Sequence, residues 1–196
     1  MNYPCSMDVS EVLVAIVLGI FLFLPALVPN SAAVLFGGGT PIDFGKTWRG
    51  KRILGDGKTW GGLIGGVASG TALGIILIVI AYFFDPADFW GYGSFPQNVG
   101  IVFTLALGSL LGDMCGAFIK RRLGMERGQK APVLDQYDFV AGAMLVTCLF
   151  FPDWFISTYI SGTGLISLVT VLILVPVLHR SVNIIGFKMG KKKEPW

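Results

Sequence analysis

The chain has 196 residues, of which 54% are hydrophobic and 14% are charged, with a formal net charge of +3 and a mean hydropathy of +0.71. Because roughly 25% of the residues of a soluble domain are charged, this composition excludes an ordinary soluble protein and indicates a multi-spanning membrane protein. Three widely spaced cysteines, Cys5, Cys115 and Cys148, exclude a disulfide framework and show no zinc-ligand spacing.

Five apolar segments are candidates for membrane-spanning helices, for which about 20 apolar residues are needed. We predict one all-α transmembrane catalytic domain over residues 1–196, with spans at about 9–28, 61–84, 99–119, 139–159 and 164–186. The loops 30–60 and 120–138 connect these spans on one side of the membrane. We expect the fourth span to start near Pro132 to Asp135 and to run past Pro152 toward Tyr159, and Pro176 to kink the fifth.

The charged residues predict how the spans are oriented. All 15 Lys and Arg residues fall in loop 30–60, in loop 120–138 or in the region after position 179, whereas the other side carries acids and no bases. These acids are Asp8, Glu11, Asp85, Asp88 and Asp153. Five spans place the three basic segments together, and the positive-inside rule then puts the C-terminus in the cytoplasm and the N-terminus outside. Setting the topology explains where the bases lie but not why acids are interleaved with them.

The second span carries a stripe of glycines at a spacing of four, which are Gly62, Gly66, Gly70 and Gly74. Residues at this spacing share one face of a helix and let another helix approach closely. We therefore favour close helix packing over the alternative, a groove that admits a lipid chain.

The third span contains a carboxylate at membrane depth. Ser109, Asp113, Gly116 and Lys120 recur at spacings of four, three and four, so they share one helix face. Asp113 lies about 10 Å deeper than Lys120 at a rise of 1.5 Å per residue. A charge there is costly and usually functional. The alternative is a buried ion pair between Asp113 and a base on another helix.

Two further acids, Asp135 and Asp138, open the fourth span at spacing i, i+3. Both would fall in the first turn of this helix, where Asp135 alone could be a helix cap. Capping does not explain Asp113 on the neighbouring helix. Together, Asp113, Asp135 and Asp138 could hold one or two Mg²⁺ ions, because Mg²⁺ takes carboxylate oxygens and substrate phosphates as ligands.

The first loop repeats the sequence G-K-T-W at 45–48 and 57–60. Glycines let the backbone wrap an anion, and lysines and threonines donate to phosphate, so the loop is a candidate site for a nucleotide or for pyrophosphate. It is not a Walker A motif, because Arg52 stands where that motif requires glycine. A basic loop that merely contacts anionic lipid is the alternative.

The block 109–138 resembles the signature of CDP-diacylglycerol synthases (phosphatidate cytidylyltransferases), S-x-x-G-D, then K-R, then D-R-x-D. The matching residues are Ser109, Gly112, Asp113, Lys120, Arg121, Asp135 and Asp138. Gln136 replaces the arginine of that pattern, its His-Gly-Gly and Lys-Asp elements are missing, and the chain lacks the extra N-terminal spans of those enzymes.

The first loop is closer to a second family. I-D-F-G-x-x-W followed by G-K-R-I-L-G-D-G-K-T-W, residues 42–60, is similar to archaeal CDP-archaeol synthases, the short five-span relatives. This resemblance implies Mg²⁺-dependent transfer of CMP from CTP to 2,3-bis-O-geranylgeranylglycerol 1-phosphate.

We assign site roles on this basis. The expected catalytic residues are Asp113, Asp135, Asp138 and Lys120, and the three acids would be the metal ligands. Candidate substrate-binding residues in the first loop are Lys46, Arg49, Lys51, Arg52, Asp56, Lys58 and Thr59. All of these except Asp56 would hold the triphosphate and the leaving pyrophosphate. Those in the second block are Ser109, Arg121 and Arg122, with the arginines at the lipid phosphate or the α-phosphate.

The expected partners are CTP, the ether-lipid phosphate and the surrounding membrane lipid, with no nucleic-acid polymer and no obligate protein partner. The active site would face the cytoplasm. One alternative is a small transporter or channel with Asp113 as its ion site, but that function needs polar residues through to the other face. Another alternative is a lipid-binding scaffold, which leaves Asp113 unexplained.

Overall fold

The computed structural model describes residues 8–84, 91–126 and 129–190. Within these ranges the chain forms six helices: α1 (Val9–Leu35), α2 (Trp60–Phe84), α3 (Gln97–Arg122), α4 (Pro132–Phe150), α5 (Pro152–Tyr159) and α6 (Gly164–Lys188). Two short strands, β1 (Thr47–Trp48) and β2 (Lys51–Arg52), pair antiparallel in the first loop. The predicted helical membrane architecture is therefore confirmed, and the hairpin is the exception to an all-α chain.

The candidate membrane spans number four or five in the described part of the chain. By length and composition α1, α2, α3 and α4 can each cross a bilayer, and α5 with Gly164–Leu178 would be a fifth span bent by 83°. Some of the charged residues used to predict the orientation of the spans lie outside the described residues. These are Asp85, Asp88, Arg127 and the three lysines at 191–193.

Helix α1 continues to Leu35, beyond the predicted end at residue 28, although it contains Pro25 and Pro29. Pro25 has no N–H for the carbonyl of Phe21. The hydroxyl of Tyr92 donates to the carbonyls of Phe21 and Leu22 at 3.3 Å each. A tyrosine from the connection before α3 thus satisfies the freed backbone group, which is how a membrane helix accommodates an internal proline.

The glycine stripe of α2 faces α1 and α3. A β-carbon added to Gly66 would lie 2.8 Å from the carbonyl oxygen of Pro29, and one added to Gly70 would lie 2.7 Å from that of Pro25 and 2.9 Å from Ala106. These distances leave no room for a side chain. Helix packing, the favoured interpretation of the stripe, is confirmed.

Helices α3 and α4 approach each other closely enough for their backbones to touch. A β-carbon on Gly108 would lie 2.6 Å from the carbonyl oxygen of Gly142, and one on Gly112 would overlap that of Asp138. This approach carries Asp138 onto the face of α3 that bears Asp113.

The prediction of one fourth span over 139–159 is wrong in its boundaries. Helix α4 begins at Pro132, as expected for its start, and ends at Phe150, and α5 is a separate helix that begins at Pro152. Proline lacks an N–H and disfavours helical backbone at the preceding residue, so Phe151 turns out of the helix with φ −134°. The loops shorten accordingly, to 36–59 and 123–131.

Polar contacts attach α5 and α6 to α1. The hydroxyl of Tyr159 donates to the carbonyl of Gly19 at 3.4 Å, and that of Ser167 donates to the carbonyl of Ala15 at 2.8 Å. Apolar side chains fill the centre of the bundle, among them Phe23, Leu105, Phe139 and Val171. The helices thereby form a frame from one end of which the two basic loops project.

Candidate active site

The first loop folds as a β-hairpin with a two-residue turn at Arg49 and Gly50. Both residues have positive φ, 53° and 75°, as a type I′ turn requires. The turn presents Lys51 and Arg52 beside the end of α3. This hairpin is not predictable from the sequence pattern, because strands of two residues are too short to show alternation.

Asp43 organises the rest of this loop. Its side chain is 1% exposed and pairs with Arg52 at 2.8 Å. It also accepts the backbone N–H groups of Gly45, Leu54 and Gly55 at 3.1, 3.0 and 2.9 Å. The Arg52 guanidinium and these N–H groups hold the pKa of Asp43 well below its ordinary value. Since all of these bonds favour the charged carboxylate, the loop is built around an ionised Asp43.

Asp43 is a residue that the sequence analysis missed as an individual side chain. It stood only within the I-D-F-G motif. The available signal was an acid two residues before a glycine, the pattern of an Asx turn. Arg52, which we had assigned to the triphosphate, pairs with Asp43 and with the exposed Asp56 at 2.6 Å.

Arg122 attaches the hairpin to α3. Its guanidinium donates to the carbonyls of Trp48 and Arg52 at 2.6 Å each and of Lys51 at 3.2 Å. It also lies 5.3 Å from the centre of the Trp48 ring and 5.2 Å from that of Phe118. The contacts found for Arg122 are therefore with the protein, whereas we had predicted a lipid phosphate or the α-phosphate as its partner.

The two basic loops meet at a cavity of about 630 Å³ between the hairpin and the end of α3. The charged residues that line it are Lys51, Arg52, Lys58, Lys120 and Arg121, with the acids Asp56 and Glu126. The guanidinium of Arg121 donates to the carbonyl of Met125. A concentration of five bases in one concave site suits a polyanion such as a triphosphate. We call it the cationic cavity.

Asp113 and Lys58 form an ion pair at the border of this cavity. The ion-pair alternative for Asp113 is thus present in the structure, although the pair is only partly buried and its base comes from the loop rather than from another helix. A second cavity, of about 320 Å³, lies on the other side of this pair. Asp56, Gly57 and Lys58 line both cavities. The segment 56–58 therefore separates two adjoining spaces.

Asp135 takes part in the start of α4. It pairs with Lys120 and accepts the backbone N–H of Ala131, the residue before the helix, at 2.9 Å. The N-cap of α4 is Ala131 and Asp135 lies inside the helix, so Asp135 is not the helix cap considered for it, although its carboxylate reaches back to the N–H of the cap residue. Asp135 and Lys120 are still adjacent to the cationic cavity, because Lys120 lines it.

Asp138 lies one turn further along α4, against α3. A β-carbon on Gly116 would overlap its carboxylate, so glycine at this position makes room for the acid. Asp138 is within electrostatic reach of Asp113, Lys120 and Lys58. The approach of α3 and α4 thus brings the carboxylate of Asp138 near that of Asp113.

A three-acid metal site is not assembled among the described residues, where no group of three His, Cys, Asp or Glu side chains is close enough to hold an ion. Two carboxylates are sufficient for Mg²⁺, which completes its coordination with substrate phosphates and water. Asp113 and Asp138 fit that requirement. The assignment of Asp135 as a third ligand stays a prediction.

Other predicted site residues do not line the cationic cavity. Ser109 is fully buried and donates to the carbonyl of Ala26 at 2.8 Å, which ties α3 to α1. Lys46 and Arg49 are exposed on the hairpin. Thr59 accepts the N–H of Gly62 at 3.2 Å as a cap of α2, and it lines the second cavity.

Comparison with known proteins identifies the family. The model of the CarS-like CDP-archaeol synthase family matches residues 12–196. The chain belongs to the CDP-archaeol synthase family. A CDP-archaeol synthase of Methanoregula boonei is 48% identical over 88% of this chain and 99% of its own length. The one of Picrophilus torridus is 43% identical over 94% and 98%.

A solved structure has the same fold. It is described as an intramembrane enzyme for archaeal membrane lipid biosynthesis, and it matches with a TM-score of 0.61 and 35% identity over 84% of this chain and 92% of its own. The predicted resemblance to CDP-archaeol synthases is thereby confirmed, and an enzyme is favoured over the alternative of a transporter or channel.

Proposed function

We propose that the chain transfers CMP from CTP to the phosphate of 2,3-bis-O-geranylgeranylglycerol 1-phosphate, giving CDP-archaeol and pyrophosphate. The observation that carries this proposal is the cationic cavity beside Asp113 and Asp138 at the mouth of an apolar bundle. Such a site would suit phosphate chemistry next to a membrane-bound substrate. Membership of the CDP-archaeol synthase family supports the specific reaction.

The reaction is a substitution at the α-phosphorus of CTP. An oxygen of the lipid phosphate forms a new P–O bond to that phosphorus, the bond to the β-phosphate oxygen breaks, and pyrophosphate leaves with the electron pair. The attacking phosphate is already ionised near pH 7, so no side chain has to remove a proton. The protein has to position two anions and neutralise their charge.

The lysines of the two ion pairs are suited to that neutralisation. Lys58 and Lys120 pair with Asp113 and Asp135 and also line the cationic cavity. Each ammonium can turn toward a phosphate oxygen, because a lysine side chain carries three donors on a flexible stem. Lys51 and Arg121 from the same wall would hold the triphosphate and the departing pyrophosphate.

Asp113 and Asp138 would hold Mg²⁺, with Asp135 as the predicted third acid. Bound there, the ion would supply Lewis-acid neutralisation of the phosphate oxygens. Asp113 pairs with Lys58, and Asp138 lies near Lys58 and Lys120, so both carboxylates are next to bases that line the cationic cavity. Gly116 keeps the space that the carboxylate of Asp138 occupies.

The site would face the cytoplasm in a protein of five spans whose N-terminus is outside. The clustering of the loop bases at one end of the bundle supports this orientation through the positive-inside rule. CTP would enter from the cytoplasm, and the lipid chains would enter sideways from the inner leaflet.

Pyrophosphate release by the purified protein tests the proposal. The protein in detergent receives Mg²⁺, each of the four nucleoside triphosphates in turn, and an ether or an ester phospholipid acid. We expect release with CTP and the ether-lipid phosphate, and no release when Mg²⁺ is chelated. Release that does not depend on lipid, or release with another nucleotide in place of CTP, would contradict the proposal.

A further inference from the structure

The second cavity contains an unsatisfied polar atom. Asn30, on the last part of α1, lines this cavity. Its Oδ1 is buried and has no hydrogen-bond partner among the described residues. Such atoms are rare in folded proteins, because an unpaired buried acceptor is costly, and each needs an explanation. A ligand that donates a hydrogen bond to Asn30 is one explanation.

The two substrates of the proposed reaction differ in their ability to donate. The ether-lipid phosphate has ether oxygens and apolar chains, so it carries no N–H and no O–H outside its phosphate. CTP carries an exocyclic amino group on its base and two ribose hydroxyls. A carbonyl acceptor outside the cationic cavity is therefore matched by the nucleoside part of CTP.

The walls of the second cavity suit a nucleoside. They include the apolar side chains of Ile42, Leu63, Leu110 and Met114, and also the polar side chains of Asp56, Lys58, Thr59 and Asp113. A flat aromatic ring fits against apolar walls with a few polar groups to fix its orientation, as is usual in ligand sites. Asp56 and Lys58 also line the cationic cavity, whereas Asn30 does not, so Asn30 is placed for the base, the part of the nucleoside farther from the triphosphate.

The position of the second cavity agrees with the path of the nucleotide. The segment 56–58 borders both cavities. A base in the smaller cavity and a triphosphate in the cationic cavity would place the α-phosphate near Lys58 and Asp113, between them. That is where the proposed substitution has to occur.

We infer that the second cavity receives the cytosine ring of CTP and that Oδ1 of Asn30 accepts a hydrogen bond from its exocyclic amino group. This inference rests on the proposed function, and it adds how the base is selected. UTP has a carbonyl oxygen in place of that amino group and would face Asn30 with a second acceptor.

The test is the kinetics of Asn30→Ala with CTP and UTP, with lipid varied in each case. We expect kcat/KM for CTP to fall about 10- to 100-fold, the usual cost of removing a partner of a buried polar group. The kcat/KM for UTP should change much less, so the ratio of kcat/KM for CTP to that for UTP should fall. The KM for lipid should not change. Thr71→Val is the matched control, because the Thr71 hydroxyl is also buried and without a partner among the described residues but is not part of the cavity wall.

Two results would overturn the inference: an equal loss for CTP and UTP, or a raised KM for lipid with kcat/KM for CTP unchanged. Thermal melting identifies a folding defect, and equilibrium binding without lipid compares the affinities for CTP and UTP directly. Asn30→Ser gives a second variant if Asn30→Ala does not fold. The wild-type protein runs beside them. If wild type releases no pyrophosphate with CTP and lipid, the proposed function fails. If wild type is active and the Asn30 variants keep its preference for CTP over UTP, only the role of Asn30 is refuted.

Discussion

At the scale of single residues, Asp43 stabilises the first loop by ionic and backbone hydrogen bonds to one buried carboxylate. Because its pKa in the folded protein lies below the ordinary aspartate value of about 3.9, its contribution to stability is complete above that pH. The contribution is lost as the pH falls below that value toward the lowered pKa. At neutral pH the loop is therefore fully supported.

Asp43→Asn should loosen this loop. Removing the charge weakens several bonds to the carboxylate, and hydrogen bonds to charged groups contribute about 1.5–3 kcal/mol each. Hydrogen exchange of the Leu54 and Gly55 amides is the measurement, and we expect it to become faster by at least tenfold. Asp56→Asn is the control, since Asp56 pairs with the same Arg52 but its side chain is 66% exposed, and exposed pairs contribute little. Equal rates of hydrogen exchange at the Leu54 and Gly55 amides in the two variants would contradict this role of Asp43.

Asp138 tests the chemistry of the acids. Asp138→Asn keeps the shape of the side chain against Gly116 and removes its charge. We expect kcat for lipid-dependent pyrophosphate release to fall at least about 100-fold, as happens when a preorganised electrostatic group is lost. The melting temperature in detergent should show that the variant is folded. Near wild-type turnover would disprove the assignment of Asp138 as a metal ligand. Asp135→Asn, measured beside it, separates a role of Asp135 in supporting the start of α4 from a role as a metal ligand.

Lys58 tests the assignment of the cationic cavity to the triphosphate. Lys58→Ala removes a base that lines both cavities and pairs with Asp113. The KM for CTP should rise about tenfold or more, in line with the loss of a charged hydrogen bond. Initial rates at varied CTP and varied lipid measure this change. If the dependence on lipid shifts and that on CTP does not, the first loop is not the triphosphate site.

At the scale of elements, long apolar helices are predictable and short irregular pieces are not. Apolar length and charge gave α2 almost to the residue, because Trp60 follows a polar loop and Phe84 ends an apolar run. Helix α1 extends beyond its predicted end, to Leu35, with Pro25 and Pro29 inside it. The compensation of Pro25 by Tyr92 depends on a tertiary contact, which the sequence does not show. The break at Phe151 follows from Pro152, which is visible in the sequence.

In the candidate site, too, some features can be predicted from the sequence and others cannot. Spacing alone grouped Asp113 with Lys120 and Asp135 with Asp138, and it located both basic loops. Spacing does not show which bases bind other parts of the protein rather than a ligand. The contacts of Arg52 and Arg122 with the protein depend on how the hairpin folds. Spacing also could not single out Asn30, whose significance depends on the absence of a partner among the described residues.

The contact between α3 and α4 gives a prediction at this scale. Gly112→Ala adds a β-carbon that would overlap the carbonyl oxygen of Asp138, so the two helices must separate. We expect a loss of about 1–3 kcal/mol in the stability of the folded protein, the usual cost of overpacking, and reduced activity because Asp138 moves. Thermal unfolding in detergent is the measurement. Ala141→Val, on the exposed face of α4, should melt like wild type, and equal melting of Gly112→Ala would disprove the close contact.

At the scale of the whole molecule, the bent pair of α5 and α6 decides the number of spans. A bend of 83° is compatible with one broken span or with a re-entrant segment. One broken span places the C-terminus on the cytoplasmic side with the basic loops. A re-entrant segment places the C-terminus on the same side as the N-terminus. Charge favours one broken span, because α6 carries Arg180 and Lys188 toward its end and no acid.

The native cysteines allow a direct test of this topology. In a Cys115→Ser, Cys148→Ser background, a membrane-impermeant maleimide should label Cys5 in right-side-out vesicles. In the same background with Cys5→Ser and Lys188→Cys, it should label position 188 only after detergent is added. This asymmetry follows from an odd number of spans with all basic segments inside. Labelling of both positions before detergent would mean that α5 and α6 form a re-entrant pair, and the basic end of α6 would then lie across the membrane from the cationic cavity.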